Sequence, residues 1–229
     1  MKKLVLISLL IFLTPKVVFG AGAYLVDDGG IIDVKKIQIE NWYSRGSKGE
    51  NIFVTNPAYQ LLPNAEFAVQ ETYDVSAKNI NTLWPQIKYL WHNNKNISSS
   101  ATLGINYSST DQKIYGTYAY SSTTAKISSI IDSHFYVGWQ NWRHSFANDK
   151  SINFLNYGVG FEMRLNEKLF LIPEIFQTNG AFKNGSKKPA TQLGLRYFAN
   201  DKFIFDAIYG HNINGRNQSW ITLGVTLVF

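Results

Sequence analysis

From Lys36 to the last residue, apolar and polar positions alternate in short stretches broken by turn-forming residues, and no stretch carries a helical period. Twelve stretches can be counted: residues 36–44, 51–59, 65–76, 82–92, 98–108, 113–121, 127–143, 151–165, 169–178, 190–199, 203–213 and 219–229. In "FLNYGVGFEMRL", Leu155, Tyr157, Val159, Phe161, Met163 and Leu165 share one face, while Asn156, Gly158, Gly160, Glu162 and Arg164 share the other. "TQLGLRYFA" sets Leu193, Leu195 and Tyr197 against Gln192, Gly194 and Arg196 in the same way. Glycines gather on the polar face, where a concave inner wall would need room for larger neighbours. Glu71 breaks the pattern by falling in step with Phe67, Val69 and Tyr73, which demands a position near an interface or a shift of register.

The breaks alternate in length. "LLPN", "NNKN", "TTAK", "NEK" and "NDK" are short, whereas "HSFANDK", "NGAFKNGSKKP" and "NGRNQS" are longer. Strands of about ten residues are what a tilted strand needs to cross a hydrocarbon layer; a soluble sandwich manages with about five or six. The pattern predicts an all-β fold, a closed antiparallel transmembrane β-barrel of about 12 strands in up-and-down order, with both termini on the short-turn side. The expected organisation is a signal peptide over residues 1–20, a periplasmic lead-in over 21–35 and the barrel over 36–229.

The signal peptide follows from "MKKLVLISLLIFLTPKVVFGAGAY". Two lysines precede the apolar run Leu4 to Leu13, and small residues follow near Gly20 and Ala21. Pro15 and Lys16 end that run well short of the ~20 residues that a spanning helix wants. The formal net charge of +6 includes Lys2, Lys3 and Lys16, so the chain without its leader carries +3. With no Lys/Arg-rich run left, nucleic acid is not an expected partner. The absence of cysteine removes disulfide and thiol chemistry. Aromatic residues make up 15% of the chain, and Tyr and Trp, which dominate them, collect at membrane–water interfaces.

The last stretch, "SWITLGVTLVF", places Ile221, Leu223, Val225, Leu227 and Phe229 in one apolar row, which lipid could cover. Leu223, Val225, Leu227 and Phe229 resemble the C-terminal signature of Gram-negative outer-membrane barrels, where a final aromatic and alternating apolar residues are read by the barrel-assembly machinery. That resemblance implies an outer-membrane location, with lipid and lipopolysaccharide as surroundings. The opening of the chain past its leader, "AYLVDDGGIIDVKKIQIENWYS" followed by "NPAYQLLPNAEFAVQETYDVS", resembles the outer-membrane transporters of the meta-pathway phenol-degradation family. Asp27, Asp28, Gly29, Gln38, Glu40, Tyr59 and Leu61 carry it, over about the first quarter of the chain without its leader. It implies uptake of small, often aromatic or apolar, molecules.

Catalysis and metal binding find little support in the residues. His92, His134, His144 and His211 are scattered without ligand spacing, so neither a metal nor another cofactor is expected. Ser133 and Ser145 sit next to histidines, but neighbouring strand residues point to opposite faces, so no dyad forms and an enzyme is not expected. "DDGGIID", with Asp27, Asp28 and Asp33, lacks the ordered ligands of a calcium loop and reads as a polar lead-in with turn glycines.

The inner wall holds what chemistry remains. If the apolar rows face lipid, Gln38, Glu40, Glu66, Gln70, Gln86, Lys88, Asp132, His134, Gln140, Glu162, Arg164, Glu174, Arg196 and Asp206 face inward. One reading is a narrow passage for small solutes, with Lys88, Arg164 and Arg196 opposite the carboxylates setting its selectivity. A second is a self-neutralising network that blocks the lumen of a structural or surface-interaction barrel, whose loops around Lys183 to Lys188 and Arg216 meet lipopolysaccharide phosphates. A lipid-modifying enzyme is the third.

Overall fold

The structure is a computed structural model that describes residues 23–76, 80–110, 112–143, 151–177, 189–213 and 218–229. Residues 1–20, expected as the signal peptide, and the basic positions Lys183 to Lys188 and Arg216 lie outside the described residues. Twelve strands follow one another: β1 (Ile37–Gly46), β2 (Asn51–Leu62), β3 (Ala65–Asp74), β4 (Ile80–Asn93), β5 (Ile97–Ser108), β6 (Lys113–Lys126), β7 (Ile131–Arg143), β8 (Ser151–Arg164), β9 (Leu169–Gln177), β10 (Ala190–Phe198), β11 (Phe203–Asn212) and β12 (Ser219–Val228). Each pairs antiparallel with its neighbours in sequence. The wall closes through β1 and β12, from Gln38 opposite Val228 to Gly46 opposite Trp220. Closure leaves no strand edge, so the backbone groups of the wall find partners without water.

The two faces divide as the alternation predicts. Along β10 the side chains of Gln192 and Arg196 are buried while those of Leu193, Leu195 and Tyr197 are exposed, and β11 repeats the pattern with Asp206 against Phe205. The outward face carries Ile87, Leu103, Val137, Leu155, Leu193 and Leu223, with Leu103 65% exposed. Aromatic residues ring this belt at two heights, Tyr43, Phe53, Tyr73 and Tyr209 toward the loop end and Tyr59, Phe67, Tyr89 and Tyr197 toward the turn end. An apolar band between aromatic girdles is the surface of a barrel seated in lipid. Glu71 keeps its register and faces outward opposite Thr55 and Leu83; it accepts a hydrogen bond from Asn81 Nδ2 at 2.7 Å, one pleat below Tyr73.

One expected turn moves. Residues "TTAK" do not break the chain: Thr123 pairs with Ser99, Thr124 with His134, and β6 runs on to Lys126. The turn lies at Ile127–Ile130 instead, where the amides of Ile127 and Ser128 both donate to the carbonyl of Ile131. A Ser/Thr cluster reads as a loop by polarity, but β-branched threonine suits a strand.

A second difference matters more for function. The segment expected as a periplasmic lead-in is folded into the barrel. Tyr24, Val26 and Ile32 are buried there, Tyr24 against Ile172 and Ile208, Val26 against Phe176 and Trp220, and Ile32 against Ala58, Ala68 and Val228. The polar lumen would satisfy an extended segment's backbone groups as water would, while these three apolar side chains gain cover they would lack below the barrel.

Candidate functional site

One glycine of the wall and one of the segment set how closely the two approach. A Cβ on Gly194 would lie 2.2 Å from the Tyr24 hydroxyl oxygen, and one on Gly29 would lie 2.2 Å from the backbone oxygen of Ser98. Both contacts exist because neither position carries a side chain.

Charged and polar wall residues then hold the segment along its length. The Glu174 carboxylate accepts from the backbone amides of Leu25 at 3.1 Å and Val26 at 3.2 Å, and from Gln192 Nε2 at 2.6 Å. Thr124 Oγ1 accepts from Gly29 N at 2.8 Å and lies 2.9 Å from His134 Nδ1. Glu66 accepts from Ile32 N at 2.9 Å. Lys88, buried in the wall, reaches Asp27 Oδ2 at 3.0 Å and Asp28 Oδ1 at 3.7 Å, so the acidic pair of the segment is neutralised by a cation of β4. Arg196 is 3% exposed; its Nε donates to Asp206 Oδ1 at 2.9 Å, its Nη1 faces Glu162 Oε2 at 3.4 Å, and its guanidinium covers the Tyr24 ring at 4.9 Å.

The expected inward residues are thus sorted into groups. Glu66, Lys88, Glu174 and Arg196 all touch the inserted segment, and Glu162 and Asp206 touch it through Arg196. Glu40 accepts from Gln38 and Asn56 at 2.8 and 2.9 Å and lines the space beside the segment with Asp27, Glu66 and Lys88. Asp132 lines the space at the turn end with Asp28, Asp33 and His134. Arg164 is not brought in with the others: it is exposed at the rim beside the β8–β9 turn, its guanidinium over the Phe170 ring at 5.6 Å. Leu223, Val225 and Leu227 lie on β12, and the backbone of Phe229 exchanges two hydrogen bonds with that of Ile37, at 2.9 and 3.1 Å.

Tyr24, Val26, Gly29 and Ile32 are the contact residues that sequence reasoning missed. The available signal was the paired Asp27 and Asp28, which a barrel wall with an inward lysine could neutralise. Among the described residues the segment leaves open space at the turn end, beside itself and at the loop end, and the last two share Trp42, Gln70, Trp84, Tyr136, Gln140 and Asn156. The turn-end chamber is acidic, with Asp28, Asp33, Asp132, Glu162 and Glu174 against Arg196. The loop-end chamber is uncharged and aromatic, with Trp42, Trp84, Tyr136 and Trp220 among its lining. Ser133 and His134 point to opposite faces, with Ser133 Oγ donating to the carbonyl of Ala125. Among the described residues no three His, Asp or Glu side chains are grouped to hold a metal ion.

Solved structures similar to this one include porins and an outer-membrane channel. The KdgM porin in complex with disordered oligogalacturonate matches at a TM-score of 0.65 and 9% identity, covering 84% of this chain and 99% of that one. The NanC porin matches at 0.63 and 10% identity over 83% and 98% of the two chains. The COG4313 outer membrane channel from Pseudomonas putida F1 matches at 0.59 and 12% identity over 87% and 97%. These neighbours are channels rather than enzymes, and the fold they share with this chain is the outer-membrane type of transmembrane barrel. No curated protein matches the chain in sequence. Over residues 8–229 the sequence matches the family described as "Uncharacterised conserved protein UCP029691", and the chain belongs to that family.

Proposed function

We propose that the protein is an outer-membrane channel for passive passage of small solutes, narrowed at mid-height by its own N-terminal segment. The observation that carries this reading is how that segment is held. Its amides and carboxylates bond to individual wall residues over residues 25–32, and chambers remain on both sides of it. A lumen meant only to be filled would close around bulky side chains, as the smallest barrels do. The likeness to porins and channels supports the same reading. Leu223, Val225, Leu227 and Phe229 serve as the assembly signal in this account, and residues 1–20 as a leader removed before insertion.

One observation favours a second reading. The ion pairs of Lys88 and Arg196 bury both cations at the level of the inserted segment, as a permanently blocked structural barrel would require. Single-channel recording across a planar bilayer in ~1 M salt separates the two. Reproducible conductance steps support the channel, with reversal potentials favouring cations because carboxylates dominate the turn-end chamber. A silent membrane, with heat-modifiable mobility showing a folded barrel, supports the blocked structure. The resemblance of residues 23–44 and 56–76 to phenol-pathway transporters offers small aromatic molecules as the solute, and that class is an outcome of the test below.

A further inference from the structure

Above Tyr24 the wall changes character. Trp42, Trp84, Tyr136, Gln140, Asn156 and Trp220 surround the loop-end chamber, and every other described side chain lining it is also uncharged. Aromatic rings run along one side from strand to strand. Of the chamber's rings, Trp84 packs against Trp142 and Tyr118 with centroids 6.0 and 5.7 Å apart, and Tyr136 against Tyr120 at 5.0 Å, where Tyr118 and Tyr120 line the adjoining space with Asp27 and Lys88. Trp42, Trp84 and Tyr136 are only partly buried, so their surfaces remain open to the lumen.

Amides complete the chamber. Gln140 accepts from Asn156 Nδ2 at 3.1 Å, which leaves the two Gln140 amide hydrogens for a partner. Gln70 donates to Thr72 Oγ1 at 3.1 Å, which leaves its carbonyl oxygen. Trp220 and Gln192 are joined by a 3.4 Å bond from Nε1 to Oε1, so the Trp220 ring is fixed in place.

This chemistry selects among ligand classes. An anion entering the chamber would lose water and meet no cation among its described lining, and Lys88 in the adjoining space is already paired with Asp27 and Asp28. A purely apolar aromatic would cover the rings but leave the amides without partners. A solute with an apolar ring face and hydroxyls around its edge matches both: the face stacks on tryptophan, and the hydroxyls donate to Gln70 and accept from Gln140.

We propose that the loop-end chamber is a binding site for neutral, hydroxyl-rich ring solutes, the class of the neutral sugars. The proposal deepens the channel reading by naming its solute class, but occupancy of the chamber does not require an open lumen.

The test uses protein extracted from membranes in an amine-oxide detergent, since a sugar-headed detergent would compete. Replacing the outward-facing Trp91 and Trp139 by Phe leaves Trp42, Trp84, Trp142 and Trp220, all on the inner face, as the fluorescent reporters. Maltotriose, cellotriose, raffinose, trigalacturonate, phenol and choline are titrated separately. The expected result is a saturable change with at least one neutral trisaccharide and weaker responses to the last three. Trp84→Ala should weaken sugar binding about tenfold, as loss of one ring stack implies, with Trp84→Phe intermediate. Heat-modifiable mobility establishes that each variant is folded. No response to any of the three trisaccharides overturns the proposal, as does an equal or stronger response to trigalacturonate, phenol or choline. Binding unchanged in both Trp84→Ala and Trp42→Ala overturns it too. A silent bilayer with sugar binding intact would sink the channel reading and leave this site standing.

Discussion

Tyr24 and Gly194 meet across the lumen at a distance that admits no side chain on the wall: a Cβ at position 194 would lie 2.2 Å from the Tyr24 hydroxyl oxygen and 2.4 Å from its ring. Gly194 therefore acts as a socket for the inserted segment. Gly194→Val should push Tyr24 out of place and raise conductance while leaving the barrel folded. The double variant Gly194→Val with Tyr24→Ala should retain the segment better than Gly194→Val alone. Additive effects in that cycle would show that the two residues do not meet.

Lys88 and Asp27 form the ionic counterpart of that contact, 3.0 Å apart. Removing one partner of a buried pair typically costs about 3–5 kcal/mol when nothing relaxes. Here the segment can relax by leaving, so the loss falls on its retention rather than on the barrel. The chain contains no cysteine, so Ala23→Cys would give a unique thiol at the inner end of the segment. Lys88→Glu should speed labelling of that thiol by a maleimide. Exchanging the charges, with Asp27→Lys added, should slow it again. Equal rates in all three proteins would contradict the assigned ion pair.

Much of this architecture was legible from residue periodicity, because a barrel wall is built from local alternation. The inward placement of Lys88 and Arg196 follows from their register with Gln86 and Gln192, Glu174 follows as the polar residue of its alternate row, and closure follows from the cost of an unpaired sheet edge in lipid. The turn at Ile127–Ile130 was obscured because Thr123 and Thr124 are polar, although their β-branching suits the ladder they join. The inserted segment was illegible for a different reason. It has no period of its own, and its partners lie far along the chain, with Leu25 bonded to a residue 149 positions away. Such pairings are a property of the closed barrel and leave no local trace beyond an acidic pair and spare wall glycines.

Glu71 supplies a test of the lipid-facing surface. It is half-buried on the outer face, one pleat from the Tyr73 girdle, and shares a hydrogen bond with Asn81. A carboxylate at that depth is mildly unfavourable in lipid. Glu71→Leu should therefore stabilise the barrel by about 1 kcal/mol, read as a higher denaturant midpoint in phospholipid vesicles. A clear loss of stability would mean that Glu71 is needed where it stands, for instance against a neighbouring protein in the membrane.

The proposed channel depends on the segment inside its lumen, and deleting that segment tests this directly. A chain lacking residues 21–33, with its leader retained, should still assemble into a heat-modifiable barrel, since β1 begins at Ile37 and closes on β12 without them. Its single-channel conductance should exceed that of the full chain several-fold, because the volume the segment now fills would join the spaces around it into one wide passage. Conductance unchanged by the deletion, in a barrel shown to be folded, would contradict the claim that the N-terminal segment sets the width of the channel.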